Sequence, residues 1–280
     1  MARTRAQDCA QDEGKGVEQA SKDSKKVAPR STPKKRQHVD ETAMKEEPAS
    51  KAAKKEDVKS TSDVNNQDRS DSKIVQLIKT YGAVPLSDTS LERPESPAAE
   101  TLLALLFNAM LTSTRITHQL AYKSVKRLID EGWADVNKLK ESTWERRTEV
   151  LTEGGYTHYR EKTATMLGEL ADLVIDKYDG DLSNLAKEAD NDRKTVRAGL
   201  KEIKGLGNVA VDVFCDTAQG VWPFIAPFLD ERSKKTAEEI GVPSDAEELF
   251  EAVNQDPMRM CKLAGALTHV RLEKKTAEFR

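Results

Sequence analysis

The chain has 280 residues, with 45 basic and 48 acidic side chains for a formal charge of −3; 33% are charged and only 5% aromatic. No apolar run approaches the ~18 residues of a membrane span, and the opening Met1-Ala2-Arg3-Thr4-Arg5 runs into polar residues without the apolar stretch of a secretory signal. The three cysteines, Cys9, Cys215 and Cys261, are too scattered for a disulfide framework or an all-cysteine zinc or iron–sulfur site, and they fit a reducing intracellular compartment.

The average hides two unlike parts. Residues 1–70 hold no Leu, Ile, Phe, Tyr or Trp and carry 16 basic against 13 acidic side chains, which leaves the remainder acidic. A segment without large apolar groups cannot bury enough surface to offset the entropy of ordering. The expectation is a disordered charged tail over 1–72 and a folded domain over 73–280. Within the tail, Pro33-Lys34-Lys35-Arg36 forms a basic cluster with Arg30 just before it. Such a run reads as a nuclear import signal, with an import receptor as partner and a nuclear location, or as a non-specific phosphate contact. It also reads as a plain solvated charge run, since Lys25-Lys26 and Lys54-Lys55 recur nearby; import is the preferred reading.

From Ile74 onward the periodicity is helical. Glu100 to Leu111 is apolar nearly all round, as a central buried helix would be. A second helix is expected from Ile116 to Ile129, with Leu120, Tyr122, Val125, Leu128 and Ile129 inward. A third starts at Ser142-Thr143, which can cap Trp144 to Leu151, before Gly154-Gly155 breaks the chain. Tyr159 to Tyr178 is the clearest amphipathic stretch, with Met166, Leu167, Leu170, Leu173 and Val174 at helical spacing, and Asp179-Gly180-Asp181 ends it. Further helices are expected over Leu182–Ala189, Lys194–Ile203, Val209–Ala218, Arg232–Ile240, Ala246–Val253 and Met258 to about Lys275. No segment alternates with period two for long enough to make a strand, so the fold class is all-α.

Between two of these helices lies Ile203-Lys204-Gly205-Leu206-Gly207. Two glycines allow a tight turn and close backbone approach to a partner, while the apolar residues anchor the turn to its flanks. The following helix then points free N-terminal amides outward, where they can hold a phosphate. The preceding stretch carries Arg193, Lys194, Arg197, Lys201 and Lys204 in a domain that is otherwise acidic, a local basic patch suited to nucleic acid. The plainer alternative is an ordinary αα turn with glycine at a helix C-terminus. The preferred reading is a helix-hairpin-helix that grips the DNA backbone without reading sequence.

Together with the hairpin, the segment Phe228-Leu229-Asp230-Glu231-Arg232 leading to Ile240-Gly241 resembles the endonuclease III superfamily of helix-hairpin-helix DNA glycosylases (HhH-GPD). The resemblance covers residues 100–241 best, extends more weakly to 280 and does not include the tail. It implies a two-lobed all-α fold and double-stranded DNA as partner. It also implies base-excision repair by cleavage of the N-glycosidic bond of a damaged or mismatched base. Asp230 falls on the family's catalytic aspartate, whose carboxylate stabilises charge developing on the sugar and helps activate the nucleophile. Asp230 equally suits an N-cap that accepts a bond from the Ser233 N–H. Candidate DNA contacts are Lys204, Gly205, Leu206, Gly207 and Asn208 of the hairpin, Lys201 and Arg197 before it, and Arg115 of the early loop. Thr114 or Arg115 would fill the space left by an everted base, with a surface helix-start role for Arg115 as the alternative.

Three departures qualify the resemblance. Val209 stands where bifunctional members carry the lysine that attacks the sugar, so a hydrolytic, lyase-free reaction is expected; the alternative is a non-catalytic DNA-binding module. An insertion through Val221-Trp222-Pro223-Phe224-Ile225-Ala226-Pro227 lengthens the path to Asp230. Cys261 alone cannot hold the C-terminal iron–sulfur cluster of many relatives, so no cofactor and no metal are expected. A monomer is expected. Tyr156, His158 and Tyr159 with Arg160 and Lys162 either stack on a base or seat the next helix, and seating is preferred. Trp222 reads as core or as pocket mouth, and His118 and His269 lack metal-ligand spacing.

Overall fold

The computed structural model describes residues 61–280, with side chains from Ser70 onward. The basic cluster at 33–36, Cys9 and most of the expected tail lie outside the described residues. Those described form α1 (Thr61–Tyr81), α2 (Ala99–Thr112), α3 (His118–Asp130), α4 (Val136–Glu141), α5 (Trp144–Glu153) and α6 (Arg160–Tyr178). There follow α7 (Ser183–Glu188), α8 (Arg193–Glu202), α9 (Asn208–Ala218), α10 (Glu231–Ile240), α11 (Ala246–Ala252) and α12 (Pro257–Leu272). Two 3-10 turns, Pro223–Ile225 and Thr276–Phe279, complete the set, and no strand occurs among the described residues.

The apolar side chains divide into two cores. In the first, α2 is buried on nearly every side between α3 and α9, from Leu102 through Phe107 to Leu111. Full burial of a Leu or Phe side chain there contributes about 1.5–3 kcal/mol. The second core gathers Ile74 and Leu77 of α1, Ala237 and Ile240 of α10, and Leu263, Leu267 and Val270 of α12. Helices α9 and α12 pack on each other and join the two lobes.

Local chemistry explains most element ends. Thr143, Asp192 and Asp230 each cap a helix by accepting a backbone N–H three residues on. Asp179 and Gly241 close α6 and α10 in the left-handed conformation, with φ of 51° and 70°. Helix α1 spans the expected boundary at 72; Ile74 and Leu77 are buried and Lys73 donates to the Ile240 carbonyl at 2.7 Å. One expectation needs correction. The inward face of α3 is Ala121, Ser124, Val125, Leu128 and Ile129; Leu120 and Tyr122 are only partly buried.

Candidate nucleic-acid interface and the Asp230 groove

The hairpin joins α8 to α9. Gly205 takes φ +93°, a conformation that disfavours any side chain, and lies directly over the methyl end of Met166. Ile203 and Leu206 are buried and anchor the turn, so Leu206 supports the hairpin from within and its side chain does not face a partner. Gly207 is the N-cap of α9, with φ −78° and ψ −177°, and has no side chain to satisfy the amides that follow. A Cβ built on Gly207 would meet no atom within 4 Å. The fold therefore does not require glycine there, and the bare approach to the α9 N-terminus is available to an outside group.

This end of α9 opens on a cavity of about 890 Å³ lined by Thr114, Arg115, Tyr156, Tyr159, Lys162, Met166, Glu169, Lys204, Asn208 and Val209, among others. Arg115 and Lys162 are exposed on its lining, and Lys204, also exposed, pairs with Glu169 at 2.5 Å. Below them the Tyr156 hydroxyl is buried; it accepts from Thr163 at 3.2 Å and donates to Thr114 at 3.4 Å. Tyr156 thus seats the loop before α6, as expected, while it and Tyr159 also line the cavity. Val209 is 47% exposed and faces the same space, with no nitrogen to offer.

Asp230 lies elsewhere. It lines a second cavity of about 850 Å³ with Arg193, Lys194, Arg197, Lys201, Asp212 and Lys234, and the two cavities share no lining residue. Asp230 is 5% exposed. Its Oδ1 accepts the Ser233 N–H at 2.6 Å and its Oδ2 accepts from Arg232 Nε at 2.9 Å. Burial pushes its carboxyl up, but the Ser233 bonds and the Arg232 guanidinium outweigh that and hold it below the usual carboxylate range. Asp216, on α9, moves the other way: burial first, then the charge of Asp230, raises it well above that range. Two neighbouring carboxyls are therefore shifted in opposite directions, Asp230 toward its ionised form and Asp216 toward its protonated one.

The insertion before Asp230 is held firmly. The buried Gln219 side chain accepts from the Phe228 N–H and donates to the Phe228 carbonyl, both at 3.0 Å. Asp216 Oδ1 accepts the Asp230 N–H at 3.2 Å. Arg193 donates to the carbonyls of Ile225 and Pro227 at 3.0 and 2.7 Å. Trp222 is core, packed against Phe214 and Phe224.

The candidate contacts thus separate. Arg115, Lys204, Gly205, Gly207 and Asn208 come together at the first cavity. Lys201 is exposed on the second. Arg197 is committed inward: it pairs with Asp212 at 2.5 Å, donates to Cys215 Sγ at 3.2 Å and stacks over Phe228. Burial pushes the Cys215 thiol up to about 11, which leaves it an unreactive packing group. Among the described residues, no cluster of His, Cys, Asp and Glu is arranged to hold a metal. Glu169, Asp216 and Gln219 escaped the sequence reading because their partners are distant in the chain. Met166 appeared there only as a helical-face residue.

No protein-family model and no curated protein matches this chain. Among solved structures, the chain is similar to the H. pylori 3-methyladenine DNA glycosylase (MagIII), crystallised with 1,N6-ethenoadenine. The two are 15% identical with a TM-score of 0.46, over 75% of this chain and 98% of that one.

Proposed function

We propose that the protein is a DNA-binding base-excision enzyme of the endonuclease III type, a monofunctional N-glycosylase that hydrolyses the bond between sugar and a damaged or mismatched base. The observation that carries this reading is the uncapped α9 N-terminus behind an unobstructed Gly207, set beside a cavity with cations at Arg115, Lys162 and Lys204. Backbone amides at a helix start bind phosphate, and a flanking cavity with two tyrosines suits an everted base.

The chemistry assigned to Asp230 follows from its state. A carboxylate held ionised by Ser233 and Arg232 is a weak base, so its part is to stabilise the cationic sugar as the base departs. Water completes the reaction, because Val209 supplies no nucleophile. A second reading, a DNA-binding module without catalysis, is favoured by the separation of Asp230 from the hairpin cavity and by its engagement with Arg232.

Single-turnover base release on a panel of damaged and mismatched duplexes, with and without alkali, separates these readings. Strand breaks that appear only after alkali support hydrolysis and identify the base. Breaks without alkali overturn the argument from Val209. Binding without any release favours the module. The cluster at 33–36 is proposed to add nuclear import, testable by mutating Lys34 and Lys35 and following the protein's location in cells.

A further inference from the structure

The hairpin cavity contains one carboxylate, Glu169, among lining residues that are otherwise apolar, hydroxylic, amide or cationic. Glu169 projects from α6 and is partly exposed; its partner Lys204 belongs to the hairpin and is 71% exposed at its side chain. The other polar groups of the lining do not offer an equivalent acceptor. The Tyr156, Thr163 and Thr114 hydroxyls are tied to one another, those of Ser113 and Thr165 donate to the Met110 and Glu161 carbonyls, and the Tyr159 hydroxyl and Asn208 amide can both donate and accept, so they do not select by polarity. Lys204 also stands at the turn where the α9 amides await a phosphate. A phosphate there competes for the ammonium, because its charge is not already satisfied within the protein. Drawing Lys204 toward the backbone leaves the Glu169 carboxylate facing the cavity without its counter-ion.

We propose that Glu169 is the specificity-determining group of the hairpin cavity: released from Lys204 by the DNA backbone, it accepts a hydrogen bond from the amino group of an everted base. The substrate class is then a base that presents an N–H donor edge, stacked between tyrosine and methionine side chains. A base lacking that donor would leave a desolvated carboxylate unpaired, which is the more costly outcome. The inference rests on the DNA-binding part of the proposed function and is independent of whether the base is cleaved.

The test compares affinity for two duplexes, one with adenine opposite an abasic site and one with unsubstituted purine in its place. Wild type is expected to bind the adenine duplex about tenfold to a hundredfold more tightly. Glu169→Ala is expected to abolish that preference while binding a fully paired duplex at least as tightly as wild type, because Lys204 then has no carboxylate competing with the phosphate. Glu169→Gln keeps part of the preference, because its amide oxygen still accepts. A wild type without preference, or a preference that survives in Glu169→Ala, overturns the proposal. A wild type that binds no duplex at all overturns the DNA reading and the proposal with it, a result distinct from duplex binding without preference, which overturns the role of Glu169 alone.

Discussion

Exchanging the two hairpin glycines for alanine separates what the fold needs from what the proposed phosphate contact needs. Gly205 sits at φ +93° with Met166 against its Cα, so Gly205→Ala forces both a strained backbone and a displaced side chain. A non-glycine residue in such a region costs about 1–3 kcal/mol, read directly as lost unfolding free energy. Gly207 differs on both counts: its φ of −78° is ordinary and its Cβ would enter open space. Alanine is a poorer N-cap than glycine by several tenths of a kcal/mol, and it restrains the unfolded chain by ~0.4–1 kcal/mol. The two effects offset, and Gly207→Ala should leave stability nearly unchanged. Its methyl would nonetheless stand between the α9 amides and a phosphate. Losing one charge-assisted hydrogen bond there costs about 1.5–3 kcal/mol, or roughly tenfold to a hundredfold in Kd. Denaturant unfolding and duplex titration at one fixed salt concentration measure both quantities. A Gly207→Ala protein that binds duplex as wild type does would refute a phosphate at the start of α9.

Four further variants probe the second cavity and the carboxyl beside it. Asp230→Asn keeps a good N-cap and should change stability little while lowering single-turnover base release by about 10²–10³, with duplex affinity retained; release at the wild-type rate would remove Asp230 from the chemistry. Asp216→Asn tests a pH effect whose sign is fixed: the native carboxyl titrates above its ordinary 3.8, so its contribution to stability is present below that value and lost as pH rises through the higher folded one. Unfolding at pH 4 and pH 7 should therefore show the variant gaining on wild type as pH rises, and the reverse order would contradict an upward shift at Asp216. The opposite shift of Asp230 acts below 3.8, where its contribution is lost as pH falls, outside that window. Lys201→Ala should weaken duplex binding uniformly and reduce the salt slope by about 1, whereas Arg197→Met should lower stability and leave the salt slope as it was, because Arg197 is spent on Asp212, Cys215 and Phe228.

What the sequence disclosed is what local chemistry determines. Thr143 and Asp230 before helical stretches, glycine at 205 and 241, and the all-apolar 102–107 run each fix a feature through neighbours a few residues away. Helix α4 escaped because Val136–Glu141 is too short to show a period, its two apolar anchors Val136 and Leu139 being interleaved with Lys138 and Lys140. The early start of α1 escaped because its order comes from α12 and the carbonyl of Ile240, both far along the chain. The site divides in the same way. The hairpin was legible through its glycines, yet the distribution of its cations was not. Arg197 turns inward because Asp212 and Phe228 meet it, and Lys204 meets Glu169, contacts that no local pattern encodes. The placement of Asp230 after an insertion likewise depends on Gln219 and Asp216 gripping the chain from α9.

Helix α9 runs between the two cavities: Val209 lines the first, Asp212 one turn on lines the second, and Asp216 further along accepts the Asp230 N–H. Val209→Lys asks which end of α9 the sugar occupies. The side chain at 209 is 47% exposed and faces the hairpin cavity, so a lysine fits without disturbing the core. On a duplex with an abasic site, its amine would condense with the sugar aldehyde, releasing water, and borohydride would reduce the imine to a stable protein–DNA cross-link. Cross-linking is the expected outcome if the sugar reaches the first turn of α9. Wild-type affinity without a cross-link would refute that placement and leave the groove at Asp230 as the seat of the sugar. A cross-link in Val209→Lys, with no base release by wild type from any duplex, would instead mean that DNA is held at the hairpin beyond reach of the carboxylate, and the binding-module reading would stand.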